Sequence, residues 1–421
     1  MQTIVPSAAI LRQKYALVSA LRAQGLVIAS CEDGKPAPGD VYLVADGETP
    51  PAPARTLILD EGEPEAIPFR DGNPARLSFG AEDSAIGNGF ASALLRGPQE
   101  PVAADPESLA LLALAERVAA SDITVLINGP TGTGKEVLAR AIHMGSSRRD
   151  GPFIAINCAA LPETMLEAML FGHHKGAFTG ASSGGQGFFR AANGGTLLLD
   201  EVAEMPVNLQ AKLLRALQER EVVPIGGTHP EKIDVRVIAC ANRDLQGEVM
   251  AGRFRADLYY RLSVFPLATR PLAERPGDLA ALAAAMVVRH AGDRTPLSWI
   301  APDSLEMLAD HDWPGNVREL ENVIQRALLL CGGGTIRPEH LIFDRRAETR
   351  VETSSQASGT LSNIVQIHEF AAIRDTLAEC KGSRTETARK LGISERTLRY
   401  RLAKAREQGE DITVRNAAAS A

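Results

Sequence analysis

An unbroken apolar strand, DITVLIN (Asp122–Asn128), runs straight into GPTGTGKE (Gly129–Glu136) and from there into the helical pattern VLARAIH. A continuous apolar run of this kind suits a parallel sheet covered on both faces. Strand, glycine-rich loop and helix in this order leave few folds open, and the order predicts a phosphate-binding unit. Gly129, Gly132 and Gly134 let backbone N–H groups converge at a helix N-terminus. Pro130, Thr131 and Thr133 complete the loop, and Lys135 reaches toward the β- and γ-phosphates. The general motif ends in Ser or Thr, whose hydroxyl binds Mg²⁺; here the residue is Glu136, and whether it touches a metal or only its waters is open.

A second buried strand, GGTLLLDE, ends on Asp200 and Glu201. Two carboxylates at such a strand end can hold Mg²⁺ through water (Asp200) and polarise an attacking water (Glu201). The two segments together predict an α/β ATPase core. VRVIACANRDL reads as a further buried strand, ending at Asn242.

The rest of the chain bounds this reading. A length of 421 residues predicts roughly two to four domains. With 45% hydrophobic and 23% charged residues it reads as a soluble globular protein with a sizeable core. The net charge of −7 excludes a chain that coats nucleic acid along its whole length. The five cysteines, Cys31, Cys158, Cys240, Cys331 and Cys380, are scattered and form no CxxC, which fits reduced thiols and a cytoplasmic location. No signal peptide is legible, and the longest apolar run, Leu279–Val288, is half a membrane span and reads as a buried helix.

Two composition shifts cut the chain: GPQEPVAADPE (Gly97–Glu107) and RRAETRVETSSQASGT (Arg345–Thr360). Three units follow: a head over 1–100, a centre over 105–344 and a module over 361–410. In the head, VYLVAD, TLILDE and ARLSFG read as strands and ILRQKYALVSALRAQG as one amphipathic helix, giving a small α/β domain. Asp60, at the end of TLILD, occupies a place a phosphoryl acceptor could take. Residues 1–30 contain no Asp or Glu to hold Mg²⁺, so the head reads as a degenerate receiver or as an unrelated sensory or docking domain.

The C-terminal module reads as DNA-binding. TETARKLG and SERTLRYRLAKAR are two helices split by a tight turn, Gly392–Ser394, with Ser394 as N-cap and a further amphipathic helix over 364–380. From Lys381 to Arg406 nine Lys and Arg stand against Glu386 and Glu395, the electrostatic footprint of phosphate contact. Arg396, Thr397, Arg399 and Tyr400, early in the last helix, are the candidates for base and backbone contacts.

Between the loop and the acidic strand end lies GAFTGA: Gly176, Ala177, Phe178, Thr179, Gly180 and Ala181. A Phe on a glycine-hinged loop reads as a contact. With this hexapeptide, the GKE ending and the paired DE, the chain resembles the AAA+ activators of sigma-54 RNA polymerase, the bacterial enhancer-binding proteins. The resemblance spans about 105–344 and 361–406 and leaves the head uncovered. It implies an AAA+ P-loop NTPase core with a helical lid over about 270–344, preceded by the α/β head and followed by a Fis-type helix-turn-helix module. It also implies ATP and Mg²⁺ as cofactors, a hexameric ring, upstream enhancer DNA as a partner and no membrane. The hexapeptide would contact the sigma-54 holoenzyme, supported by a second loop over Val222–Lys232.

The residue roles implied by the resemblance are these. Asn157 holds the catalytic Glu in an inactive pose, Asn242 senses the γ-phosphate, and Arg255 and Arg261 reach into a neighbour's ATP site. Arg318 in WPGNVREL contacts nucleotide from the lid. Departures are Ala241, where relatives often carry a hydroxyl, and His174, where they commonly carry Glu. The His173–His174 pair lacks a third ligand at metal spacing. A weaker likeness points to the flagellar regulators of the group.

Overall fold

The computed structural model describes residues 3–29, 39–96, 100–178 and 183–343, with five isolated positions between 376 and 390. Thr179, Gly180 and Ala181 of the hexapeptide lie outside the described residues, as do Arg396, Thr397, Arg399, Tyr400 and Cys31. The chain divides into two units, Met1–Asp344 and Arg345–Ala421.

The head is built on a six-stranded sheet. Its elements are β1 (Thr3–Pro6), α1 (Ala8–Gln13), α2 (Tyr15–Ala23), β2 (Val27–Ile28), β3 (Val41–Ala45), β4 (Thr56–Asp60), β5 (Glu65–Ile67), β6 (Ala75–Ser78) and α3 (Ser84–Leu95). The order is β2-β1-β3-β4-β6-β5, parallel except for the β5–β6 hairpin. The single helix expected over residues 10–25 is two, parted at Lys14, whose φ of −124° and ψ of 39° leave the helical region. Asp60 does not stand where a doubly wound sheet binds ligands. That crevice lies at the strand-order switch, here between β1 and β3, and Asp60 ends β4 on the far side of β3. At the switch itself Glu48 accepts hydrogen bonds from Ser7 Oγ (2.6 Å) and Ala45 N (2.7 Å), and Asp46 pairs with Arg76 at 3.3 Å.

The centre begins with α4 (Pro106–Ala119), capped by Asp105, whose carboxylate accepts the Glu107 N–H. Then follow β7 (Val125–Asn128), α5 (Lys135–Met144), β8 (Phe153–Asn157), α6 (Glu163–Phe171), α7 (Phe188–Ala191), β9 (Thr196–Asp200) and α8 (Val207–Glu219). A short hairpin, β10 (Glu221–Val222) with β11 (Glu231–Lys232), precedes β12 (Arg236–Ala241), α9 (Leu245–Met250), α10 (Ala256–Leu262) and β13 (Phe265–Ala268). Five strands form one parallel sheet in the order β13-β7-β12-β9-β8. Leu126, Leu197, Leu199 and Ile238 are fully buried in it, as expected of strands covered on both faces. Arg236 opens β12 and is 2% exposed. Its guanidinium donates to the carbonyls of Val118 and Ala119 at the end of α4, which explains a buried cation in an apolar strand.

The lid comprises α11 (Leu279–His290), α12 (Pro302–Ala309) and α13 (Asn316–Leu330). Trp313 is core: it is 3% exposed, and its indole N–H donates to Leu308 O at 2.9 Å. Head and lid share one hydrophobic core, in which Phe90 and Leu94 of α3 meet Ala283, Met286 and Trp299. Among the described residues no helix is long and apolar enough to cross a membrane.

Candidate nucleotide site and output loop

The phosphate loop sits between the end of β7 and the start of α5. Gly129 has φ 153°, and a Cβ there would lie 2.1 Å from Thr269 Oγ1, so only glycine fits against β13. Gly134, at φ 97°, precedes the first helical residue, Lys135. Thr133 Oγ1 donates to Pro130 O at 2.8 Å and lies 2.7 Å from Thr269 Oγ1. Lys135 Nζ donates to Gly129 O (2.7 Å) and Pro130 O (2.9 Å), so the ammonium sits over the loop. Burial lowers its pKa, against the pull of Asp200 and Glu201. Glu136 points away on the helix surface, ion-paired with Arg140 at 3.1 Å.

Asp200 ends β9. Burial raises its pKa, opposed by the Glu201 N–H it accepts at 3.0 Å and by Lys135. Glu201 stands at φ 53°, a left-handed conformation that a non-glycine residue adopts at some cost in strain and that clusters at functional sites. Asn157 is paired in register with Asp200, one strand over; its side-chain oxygen accepts the Ala159 N–H at 2.8 Å. Asn242 follows β12, with its side-chain oxygen buried and without a hydrogen-bond partner. The sheet order therefore brings the phosphate loop, Asp200–Glu201, Asn157 and Asn242 to the same carboxyl edge. Cys158 and Cys240 lie near this edge as buried thiols; burial pushes the Cys158 thiol up to about 12, so neither is a nucleophile at neutral pH.

These groups fit a nucleoside triphosphate. The loop offers amides and a lysine to phosphates, and the cleft beside it is apolar, lined by Val102, Leu111, Val137, Leu282, Met286 and Val317. Arg318 is an exposed residue of α13, and its Cβ would lie 3.3 Å from a Cβ at Gly132. Arg255 is instead the N-cap of α10, and Arg261 lies in its last turn. Arg255 grips Asp257 with two N–H bonds of 3.0 and 2.7 Å, and Arg261 donates to Leu217 O at 2.8 Å.

The stem of the hexapeptide is laced to two neighbours. His173 exchanges backbone hydrogen bonds with Gly185 (3.0 and 2.9 Å). On the other side, His174 N donates to Ile225 O and Ile225 N to Gly172 O. Ile225 belongs to the loop between β10 and β11. At Gly226, with φ 78°, a Cβ would lie 3.1 Å from the Ala177 Cβ, and at Gly227 one would lie 3.0 Å from His174 Nε2. Phe178 is 41% exposed and rests on the His173 ring at 5.1 Å between centroids.

Sequence reading missed Thr269, Arg275 and Asn316, all of which contact the phosphate loop. Asn316 lies within WPGNVREL and could have been flagged there; Thr269 and Arg275 carry no local signal.

The fold and site define an AAA+ ATPase with a helical lid. Residues 102–268 match the Sigma-54 interaction domain family, 273–358 the AAA+ ATPase lid domain and 367–404 the Fis family of bacterial regulatory proteins. The chain is 52% identical over 346 residues to the Response regulator protein FleR of Pseudomonas aeruginosa, covering 76% of this chain and 73% of that one. It is 44% identical over 316 residues to the Sigma54-dependent transcriptional activator SfnR of Pseudomonas putida, covering 71% and 86%. Among solved structures it is similar to NtrX from Brucella abortus in complex with ATP, at TM-score 0.53 and 25% identity, covering 96% and 99%. The chain belongs to the sigma-54-dependent transcriptional activators, AAA+ ATPases whose general mechanism is ATP-driven remodelling of the sigma-54 holoenzyme.

Proposed function

We propose that the protein assembles as a hexameric ring, hydrolyses ATP at sites shared between neighbours, and uses the Phe178–Thr179 tip to push on the sigma-54 holoenzyme until promoter DNA opens. The observation that carries this reading is the hexapeptide stem, laced to the loop of the separate β10–β11 hairpin within the same ATPase centre whose five-stranded sheet ends on Asp200 and Glu201.

In the chemical step Lys135 and the backbone N–H groups of residues 131–136 hold the phosphate chain. Mg²⁺ carried with ATP, held by Asp200 through water, would neutralise phosphate charge; the half-buried Asp200 carboxyl, near Lys135, fits that place. Glu201 polarises the attacking water, Asn157 governs the pose of Glu201, and Asn242 and Arg318 read the phosphates. Arg255 and Arg261 act on a neighbour's site. Their planar forks meet phosphate oxygens in pairs, and their place at the two ends of α10 supports a joint role.

The head over 1–100 regulates, the centre over 105–344 is the motor, and the module over 361–410 tethers the ring to upstream DNA through Arg396, Thr397, Arg399 and Tyr400. The cytoplasm is the place of action, and flagellar genes are the favoured target.

The test is Thr179→Ala. This variant should hydrolyse ATP at close to the parent rate and fail to activate a sigma-54 promoter in a purified system. Full activation would remove the hexapeptide from the mechanism and leave a regulator that acts through DNA binding alone.

A further inference from the structure

The lid holds three successive carbonyls of the phosphate loop. Asn316 Nδ2 donates to Thr131 O at 3.0 Å, Val317 N to Gly132 O at 3.0 Å, and Arg275 Nη2 to Thr133 O at 2.8 Å. A trans peptide is planar, so its C=O and the following N–H point in opposite directions. Each carbonyl pulled toward the lid therefore turns the next amide, of Gly132, Thr133 and Gly134, away from the lid and into the hollow of the loop.

We infer that Arg275 and Asn316 are positioning residues for the phosphate cradle: they orient the Gly134 and Gly132 amides by holding the carbonyls of Thr133 and Thr131. The inference rests on the reading of this loop as the ATP site.

Both residues are braced for that task. Asn316 is 4% exposed and stands at φ 54°, a left-handed conformation that is retained where surrounding contacts fix it. Its side-chain oxygen accepts the Leu272 N–H at 2.8 Å, so one amide ties the lid entrance to the loop. Arg275 Nη1 lies 3.3 Å from Asp278 Oδ2. Asp278 is fully buried and also accepts from Ala104 N (2.6 Å), Asp105 N (2.8 Å) and Ser108 Oγ (2.5 Å). Lid and loop are in backbone contact besides, since a Cβ at Gly132 would lie 2.4 Å from Gly315 O.

The consequence is reciprocal coupling. A lid in place makes a better phosphate cradle, and a bound phosphate chain holds the lid in place by the same free energy.

The experiment is calorimetric titration of the full chain with ADP and, separately, with adenosine, which lacks phosphates. Asn316→Ala and Arg275→Met should each weaken ADP by roughly 5- to 30-fold, as expected for one or two hydrogen bonds to a charged group. Adenosine affinity should stay within about twofold, because Asn316 lies outside the lining of the apolar cleft and Met keeps the aliphatic stem that Arg275 lends to it. Arg275→Lys, which keeps a donor, should recover part of the loss. Unchanged ADP affinity, or equal losses for ADP and adenosine, would overturn the inference. A parent protein that fails to bind ADP would instead sink the ATP-site reading itself. Hydrogen exchange of the unmodified protein gives a second route, independent of variant folding. ADP, and not adenosine, should slow exchange of the Val317 N–H; equal slowing by both ligands would count against the coupling.

Discussion

Phe90 of the head stacks on Trp299 of the lid, with ring centroids 4.9 Å apart and planes inclined by 23°. The indole N–H donates to Asp83 Oδ1 at 3.0 Å, and Leu297 N donates to Ala66 O at 2.8 Å, so stacking and hydrogen bonds join the same two bodies. The head is thus built into the lid's core. Trp299→Ala should cost about 3–5 kcal/mol, as for other large buried aromatics, read as a lower midpoint in denaturant unfolding of the full chain. A loss below about 1 kcal/mol would mean that the head is only loosely docked.

The same packing predicts the outcome at Gly89, where a Cβ would lie 2.8 Å from Ala280 O and 3.1 Å from the Ala284 Cβ. Gly89→Leu should separate α3 from α11 and raise the susceptibility of residues 1–100 to limited proteolysis. Parent-like resistance would show that the two helices can part without loss.

A pH effect follows from Arg148. Its guanidinium donates to both Asp122 oxygens (2.8 and 2.7 Å) and to Asp234 Oδ1 (2.6 Å). The hydrogen bonds from Arg148 hold the Asp122 carboxyl below its ordinary range. A carboxyl whose pKa is lower folded than unfolded contributes stability above its unfolded pKa, and that stability is lost as pH falls through the folded value. Asp122→Asn should therefore melt a few degrees below the parent at neutral pH, with the gap closing below about pH 4. A gap that persists into acid would mean that the aspartate acts through packing.

Much of the nucleotide edge was legible because buried parallel strands read as apolar runs: TLLLD is β9, and VRVIACA without its first valine is β12. What escaped was set by tertiary contact. Helix α3, SAIGNGFASALL, carries two glycines and gives a poor helical signal. Gly87 is there because a Cβ would lie 2.5 Å from the Phe79 ring, and Gly89 because α11 approaches so closely. The Pro- and Ala-rich stretch over 97–107 reads as a cut between two units, yet Asp278, far away in sequence, holds the amides of Ala104 and Asp105. Strand β1, TIVP, was too short to signal itself. The grip of Arg275 and Asn316 on the loop depends on lid placement, which no local pattern encodes.

Shared catalysis makes activity depend on assembly. If Arg255 and Arg261 complete a neighbour's site, ATPase activity per subunit should fall on dilution below the assembly range, and either Arg→Ala variant should be inactive though folded. Mixing Arg255→Ala with Lys135→Ala should restore some turnover at mixed interfaces. Constant activity per subunit at all concentrations would count against a shared site.

The central claim is that hydrolysis at Lys135, Asp200 and Glu201 drives promoter opening, and it is tested most directly by following single-stranded promoter DNA in a purified sigma-54 holoenzyme reaction. With the parent protein, ATP should produce open complexes and a non-hydrolysable analogue should not. Glu201→Gln should still bind ATP, lose at least about 100-fold in turnover, as for removal of a catalytic base, and open no promoter. Open complexes formed by Glu201→Gln, or by the parent protein without hydrolysable nucleotide, would contradict the account.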